Sequence, residues 1–243
     1  LLATRGVRVA AHVAQVGSVH DEDFCARSNS PAAHWELLRQ LERLHSLEAS
    51  AFPTISPEAA GRMKDLIAQV REDGDSVGGI VECVATGLPA GVGGPRFDGL
   101  QGGIARIVFG IPAVKGLEFG AGFEVAGLNG SQNNDPLEIR DGLPVPTTNN
   151  AGGTLGGIST GAPVVFRMAV KPTPSIAKEQ LTVDLYQMRG TTLEVRGRHD
   201  PCVAPRAVPV AEAAMALALL DGWLSFPPPQ ELPPTATLPT QGE

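Results

Sequence analysis

The sequence predicts an α+β fold. Two segments, 6–16 and 163–170, place apolar residues on alternating positions as strands do. Two others carry apolar stripes at helical spacing behind Ser-Pro starts, at Ser30-Pro31 and Ser56-Pro57. The 29 glycines and 21 prolines among 243 residues make the connections rich in turns, yet stay below the roughly 25–30% that marks low complexity.

The first strand covers 6–16, with Val7, Val9, Ala11, Val13 and Val16 near-alternating and His12 read as an ordinary strand residue. A helix follows over 31–47, capped by Ser30, with Trp35, Leu38, Leu41 and Leu44 on one face. A second helix opens at Ser56-Pro57 with the stripe Ala59, Met63, Leu66, Ile67 and Val70. Gly74 is placed to end it in the left-handed conformation. Residues 79–85 read as a strand holding a buried Cys83, and 87–95 as a loop. Residues 97–109 form a helix despite Gly102 and Gly103, and 111–118 a short strand. A polar loop or lid is expected over 129–150, two short strands at 182–186 and 191–195, and a last helix over 210–226. That helix has Ala211, Ala214, Met215, Ala218, Leu219 and Trp223 on its apolar face. The domain is therefore 1–226. The segment 227–243, with six prolines in seventeen residues, is expected to be a disordered or extended tail. A Gly-Gly ahead of an apolar strand occurs twice, at 78–79 and 156–157, and hints at an internal duplication.

The net charge is −7 and the pI near 5.3, which excludes a whole-protein basic footprint for nucleic acid. Between Arg167 and Arg206, however, seven Lys or Arg meet four acids, a local net of +3 suited to an anionic small molecule or to a solvated face. Cys25, Cys83 and Cys202 are too few and too scattered for a disulfide scaffold or a cysteine metal site, so a reducing, cytoplasmic compartment is expected. No run reaches 18 apolar residues and no signal peptide is expected, so no membrane association is predicted. The chain opens on Leu1, and its start is expected upstream.

Three segments are candidates for chemistry. NNAGGTLGGISTGAP (149–163) has glycines that let a backbone approach a ligand. It lacks Walker and dinucleotide spacing, and by spacing alone its glycines belong to hairpins and bulges. KPTPS (171–175) holds a lysine, a threonine and a serine between stiff prolines. That geometry suits a phosphate or a flavin edge, and equally a proline-rich strand exit. GRHDPC (197–202) sets an anion fork, a group titrating near neutrality and a carboxylate side by side. In an extended segment Arg198 and Asp200 share a face and His199 points away, although a surface turn has the same composition.

With DSVGG (75–79), GLPAGVGGPRFDGL (87–100), IPAVKGLEFGAGF (111–123) and GSQNND (130–135), these segments stand in the order seen in chorismate synthases. The chain resembles that family from about residue 1 to 225. The resemblance implies a β-α-β sandwich with internal duplication and, usually, a homotetramer. It implies conversion of 5-enolpyruvylshikimate 3-phosphate to chorismate and phosphate, a 1,4-anti elimination closing the shikimate pathway of aromatic amino acid biosynthesis. Reduced FMN (FMNH2) is required, and NADPH serves some members as reductant. Carried over by motif, the flavin contacts fall on Pro112, Ala113, Gly156, Lys171, Pro172, Thr173, Pro174, Ser175 and Arg198. Arg198 also lies near substrate, and Asp200 matches the aspartate proposed to act as base toward flavin N5.

The sequence also departs from the family. The Gly-Glu-Ser-His-Gly motif, the substrate and NADPH arginines, a second histidine and the Arg-Ser-Ser flavin contact do not occur, and the chain is expected to be the C-terminal two-thirds of a family member. Ala121 replaces a usual aspartate, Gly94 stands where an acid is common, and 32–52 looks like an insertion. A non-catalytic fragment retaining part of the flavin site is the second expectation.

Overall fold

The computed structural model describes residues 1–27, 30–46, 52–140, 142–197 and 199–228. The tail from 229 onward, residues 47–51 of the expected insertion, and Arg198 lie outside the described residues. Five strands form the main sheet: β1 (Arg8–Val16), β2 (Val19–His20), β3 (Gly79–Thr86), β4 (Val114–Phe119) and, later in the chain, β9 (Val164–Val170). Their order is β2-β1-β3-β9-β4 and every pairing is antiparallel. Three small hairpins stand apart: β5 (Leu137–Arg140) with β6 (Leu143–Pro146), β7 (Thr154–Leu155) with β8 (Ile158–Ser159), and β10 (Gln180–Asp184) with β11 (Arg189–Leu193). The helices are α1 (Pro31–Ser46), α2 (Pro57–Glu72), α3 (Leu100–Val108), the single turn α4 (Gly130–Asn133) and α5 (Ala204–Ser225). The architecture is α+β, with helices against both faces of an antiparallel sheet.

Strand parity decides what each face buries. Val81 and Cys83 of β3 and Phe166 and Met168 of β9 point to the face covered by α5 and α3, where Met215, Leu219 and Ile104 are fully buried. Val84 and Val165 point the other way, against Leu37, Leu41 and Leu44 of α1. Of the expected stripe, Leu41 and Leu44 are buried and Leu38 packs beside them partly buried, but Leu37 takes the place of Trp35, which is 63% exposed. Ser56 caps α2 by accepting from the Ala59 amide, and Gly74 takes a left-handed φ of 69° beyond its end.

α5 begins at Ala204, six residues earlier than expected, with Pro209 inside it. An internal proline costs about 3 kcal/mol, but Ala204, Ala207 and Val208 are buried by the extension, which offsets the loss. By length and composition α5 is apolar enough to cross a membrane, yet nine of its residues are buried in the core. The polar segment 129–150 is not a plain loop, since it holds α4 and the β5–β6 hairpin. The echoed glycines differ as well. Gly78-Gly79 enters β3 directly, whereas Gly156-Gly157, at φ 59° and 91°, forms the turn of the β7–β8 hairpin.

His12 is not an ordinary strand residue. It is fully buried, with Nδ1 2.9 Å from Asp21 Oδ2 and Nε2 3.0 Å from Glu82 Oε2. Carboxylates only accept, so both ring nitrogens donate and the imidazole is a cation. Asp21 also accepts from the Ile55 and Ser56 amides and Glu82 from the Phe24 amide, so the cluster ties two loops to the sheet. Burial alone would lower the pKa of His12, but its bonds to Asp21 and Glu82 outweigh this and raise it above 6.5. Burial pushes Asp21 up, but His12 and the Ser56 and Ile55 amides bring it below 3.8. The His12 contribution is thus complete below about 6.5, its unfolded value, and is lost as pH rises through the raised folded value. The Asp21 contribution is complete above 3.8 and is lost as pH falls through the lowered folded value. Denaturation across the pH range should therefore show this cluster's full stabilisation between the two. His12→Ala should cost about 3–5 kcal/mol by stranding two buried carboxylates. A variant within 0.5 kcal/mol of wild type (roughly the scatter of a surface substitution) would show that the cluster is not ionised.

Candidate cofactor-binding site

At one end of the main sheet the pairings Val114↔Val170 and Gly79↔Val170 bring three segments together. The Lys171 amide donates to the Ala113 carbonyl at 2.9 Å, so Pro112 and Ala113 lie beside the start of 171–175. Ala113 holds a φ of +73°, a conformation that L residues adopt at a cost of roughly 1–2 kcal/mol. The Ser76 hydroxyl donates to the Thr173 carbonyl at 2.7 Å, and the Val77 amide to the Pro201 carbonyl at 2.8 Å. Segments 112–113, 171–175 and 200–201 therefore share this end, with 75–78 between the last two.

The approach is close because Gly78 and Gly79 lack a Cβ. One at Gly78 would sit 2.8 Å from the Val170 carbonyl oxygen and 3.0 Å from Pro172 Cδ. One at Gly79 would sit 2.5 Å from the Gln15 carbonyl oxygen.

The polar groups here are incompletely used. Thr173 Oγ1 and Asp200 Oδ2 are two of the three buried side-chain polar atoms that lack a hydrogen-bond partner among the described residues. Asp200 Oδ1 accepts from the Cys202 amide at 3.2 Å. Arg206 Nη1 approaches Oδ2 at 3.1 Å as an ion pair, but out of hydrogen-bond alignment, and the arginine side chain is 77% exposed. Such a pair in water is worth little, about 0–1 kcal/mol. An orphaned buried oxygen costs about 1–3 kcal/mol, so a polar group that reached these two would be favoured.

The basic stretch is less cationic than its count suggests. Arg167 pairs with Glu118, Lys178 with Asp75, Arg196 with Glu194 and Arg206 with Asp200. Lys171 is exposed and has no carboxylate partner among the described residues. His199 is held within its own turn. Its Nε2 donates to the Val195 carbonyl at 2.8 Å and braces the turn.

Gly156 does not join this cluster. β9 runs about 20 Å from the end near the β7–β8 hairpin to Lys171. The neighbouring Gly157 packs on Gly99 at the start of α3, while Ala113 follows the end of that helix. Sequence reasoning missed Ser76 and Val77 as the joint between the site segments. The quoted motif DSVGG was the only signal for them, and their contacts span about half the chain.

These features define an α+β protein with a sheet-end site that offers a cation, a hydroxyl and a carboxylate on proline-stiffened segments. The chorismate synthase family model matches residues 1–224. The chain is 47% identical over 230 residues to a chorismate synthase of Lancefieldella parvula, covering 95% of this chain and 60% of the relative. It is 46% identical over 224 residues to that of Methanosarcina barkeri, covering 92% and 58%. A crystal structure of a chorismate synthase superposes with a TM-score of 0.72 at 30% identity, covering 92% of this chain and 59% of that one. The chain belongs to the chorismate synthase family. It spans about three-fifths of the length of these relatives. Of the two departures inside the motifs, Gly94 has a physical reason, because a Cβ there would meet the Phe226 ring at 2.8 Å. Ala121, in place of the aspartate, is buried.

Gly78→Ala should lower stability by about 1–3 kcal/mol, since backbone and a proline ring must move to admit the methyl group. An unchanged urea midpoint would mean that 78 and 170–172 are not in contact.

Proposed function

We propose that this chain carries the flavin-facing part of a chorismate synthase active site. The reaction is loss of phosphate from 5-enolpyruvylshikimate 3-phosphate to give chorismate. The observation that carries the reading is the pair of orphaned buried oxygens, Thr173 Oγ1 and Asp200 Oδ2, on two segments of the family's motif set. A hydroxyl and a carboxylate oxygen without hydrogen-bond partners among the described residues fit the alternating donors and acceptors of a flavin edge, and Lys171, which has no carboxylate partner among those residues, fits its anionic portion.

Reduced FMN, when bound, supplies electron density for loss of an allylic phosphate. The chain's own residues do the rest. Pro172 and Pro174 hold Lys171, Thr173 and Ser175 in fixed positions, so that little order is lost on binding. Pro112 and Ala113 line the same edge, fixed by the Ala113 carbonyl bond to Lys171. Arg198 pairs with substrate phosphate or carboxylate. Asp200 accepts a proton at Oδ2, the oxygen that no hydrogen bond occupies among the described residues, and so serves as the base. In the full assembly, proposed to be a cytoplasmic homotetramer, NADPH or another reductant keeps the FMN reduced.

The test is an anaerobic assay of chorismate formation with reduced FMN. Asp200→Asn should bind FMN within about threefold of wild type, because the amide keeps the shape and one acceptor. It should slow turnover by about 10²–10⁴-fold, the range for a lost proton-transfer group. Unchanged turnover would remove Asp200 from the chemistry, and failure of the unsubstituted chain to bind FMN would contradict the reading as a whole.

A further inference from the structure

The proposed reading leaves Ser76 and its neighbours without a role, yet both halves of the site hang on them. The Ser76 hydroxyl holds the Thr173 carbonyl and the next amide, Val77, holds the Pro201 carbonyl. Two consecutive residues thus fix, with one bond each, the segments that carry the two orphaned oxygens. Ser76 is itself held. Its amide donates to Asp75 Oδ1 at 2.8 Å, while Asp75 Oδ2 takes the Lys178 ammonium at 2.8 Å. The Ala177 amide closes on the Gly74 carbonyl at 2.9 Å. The far end of the segment is therefore anchored through 177 and 178, and the near end by Gly78 against Pro172. Between these anchors, the Thr173 carbonyl accepts from Ser76.

We propose that Ser76 is a positioning residue of this site. It sets where the Thr173 hydroxyl stands relative to the Asp200 carboxylate, and it acts on the cofactor only through Thr173. The Asp75–Lys178 pair serves the same end, because it holds Lys178 on Asp75 and leaves Lys171 as the cation of the segment. The inference rests on the flavin reading, and its test separates the two.

The experiment is a titration of the 243-residue chain with FMN. It is read by quenching of flavin fluorescence and by the absorption spectrum of the bound flavin, for wild type, Ser76→Ala, Thr173→Val, the double variant and Ser76→Thr. Loss of one hydrogen bond to a ligand-positioning group should weaken binding by about tenfold in Ser76→Ala and similarly in Thr173→Val. Residues acting through one another are not additive, so the double variant should bind no worse than the weaker single one. Ser76→Thr, which keeps the hydroxyl, should restore affinity to within about twofold and return the bound-flavin spectrum to that of wild type. Additive losses in the double variant, or wild-type affinity in Ser76→Ala, would overturn the assignment. So would a loss that Ser76→Thr fails to restore and that tracks a fall in melting temperature, since that marks a purely structural role. Failure of the unsubstituted chain to bind FMN is a different result and removes the flavin reading itself.

Discussion

The pairing of β3 with β9 is the constraint on which the rest depends. The ladder runs from Gly79 opposite Val170 to Ala85 opposite Val164 without a slip. A shift of β9 by one residue would turn its side chains to the opposite face, sending Phe166 and Met168 away from α5 and Arg167 into the apolar core. The same register fixes the site. It sets 76–78 against 171–173 at the sheet end, and the bare backbone of Gly78 lets them touch. Fold and site thus share one determinant: the strand pair that organises the core also brings a proline-stiffened segment beside the residues that hold it.

Charge is organised by the same ladder. His12 stands opposite Glu82, Glu82 opposite Arg167, and Arg167 opposite Glu118, so one row across four strands alternates in sign. His12–Glu82 and Arg167–Glu118 are direct contacts at 3.0 and 2.8 Å. Buried charge of this kind is a poor source of net stability but a strong penalty on any misregistered pairing, since a slip strands carboxylates in an apolar layer. The row takes up Arg167, and separate pairs take up Lys178, Arg196 and Arg206, so a stretch with a net charge of +3 is not a broad cationic surface. Its arginines and Lys178 are mostly engaged, and the charge left for a ligand is concentrated near Lys171.

Much of the fold was legible in the sequence because its signals are local. The alternation of Val7 to Val16, the Ser56-Pro57 cap and the stripe from Ala211 to Trp223 each depend on a few neighbouring residues, and each formed as expected. The failures share a non-local cause. Pro209 argued for a helix start at 210, but burial of Ala204, Ala207 and Val208 carried the helix through it. His12 looked ordinary because its partners lie 9 and 70 residues away and meet it only through a loop and a register. Trp35 fits a helical stripe, yet the face that packs is set by where Leu37 and Leu41 meet Val84 and Val165. In the site, the motif segments were legible as motifs, but the joint at Ser76 and Val77 was not. Nothing in a linear reading brings 76 next to 173 or 77 next to 201.

Amide hydrogen exchange of the chain with and without FMN tests the central claim most directly. The account predicts that FMN slows exchange at 75–78, at 171–176 and 199–202 apart from their prolines, and at 113–114, as one contiguous patch at the sheet end. The β7–β8 hairpin around Gly156 and the His12 loops should remain unchanged. Protection centred on 149–163, or a footprint that omits 171–176, would contradict it.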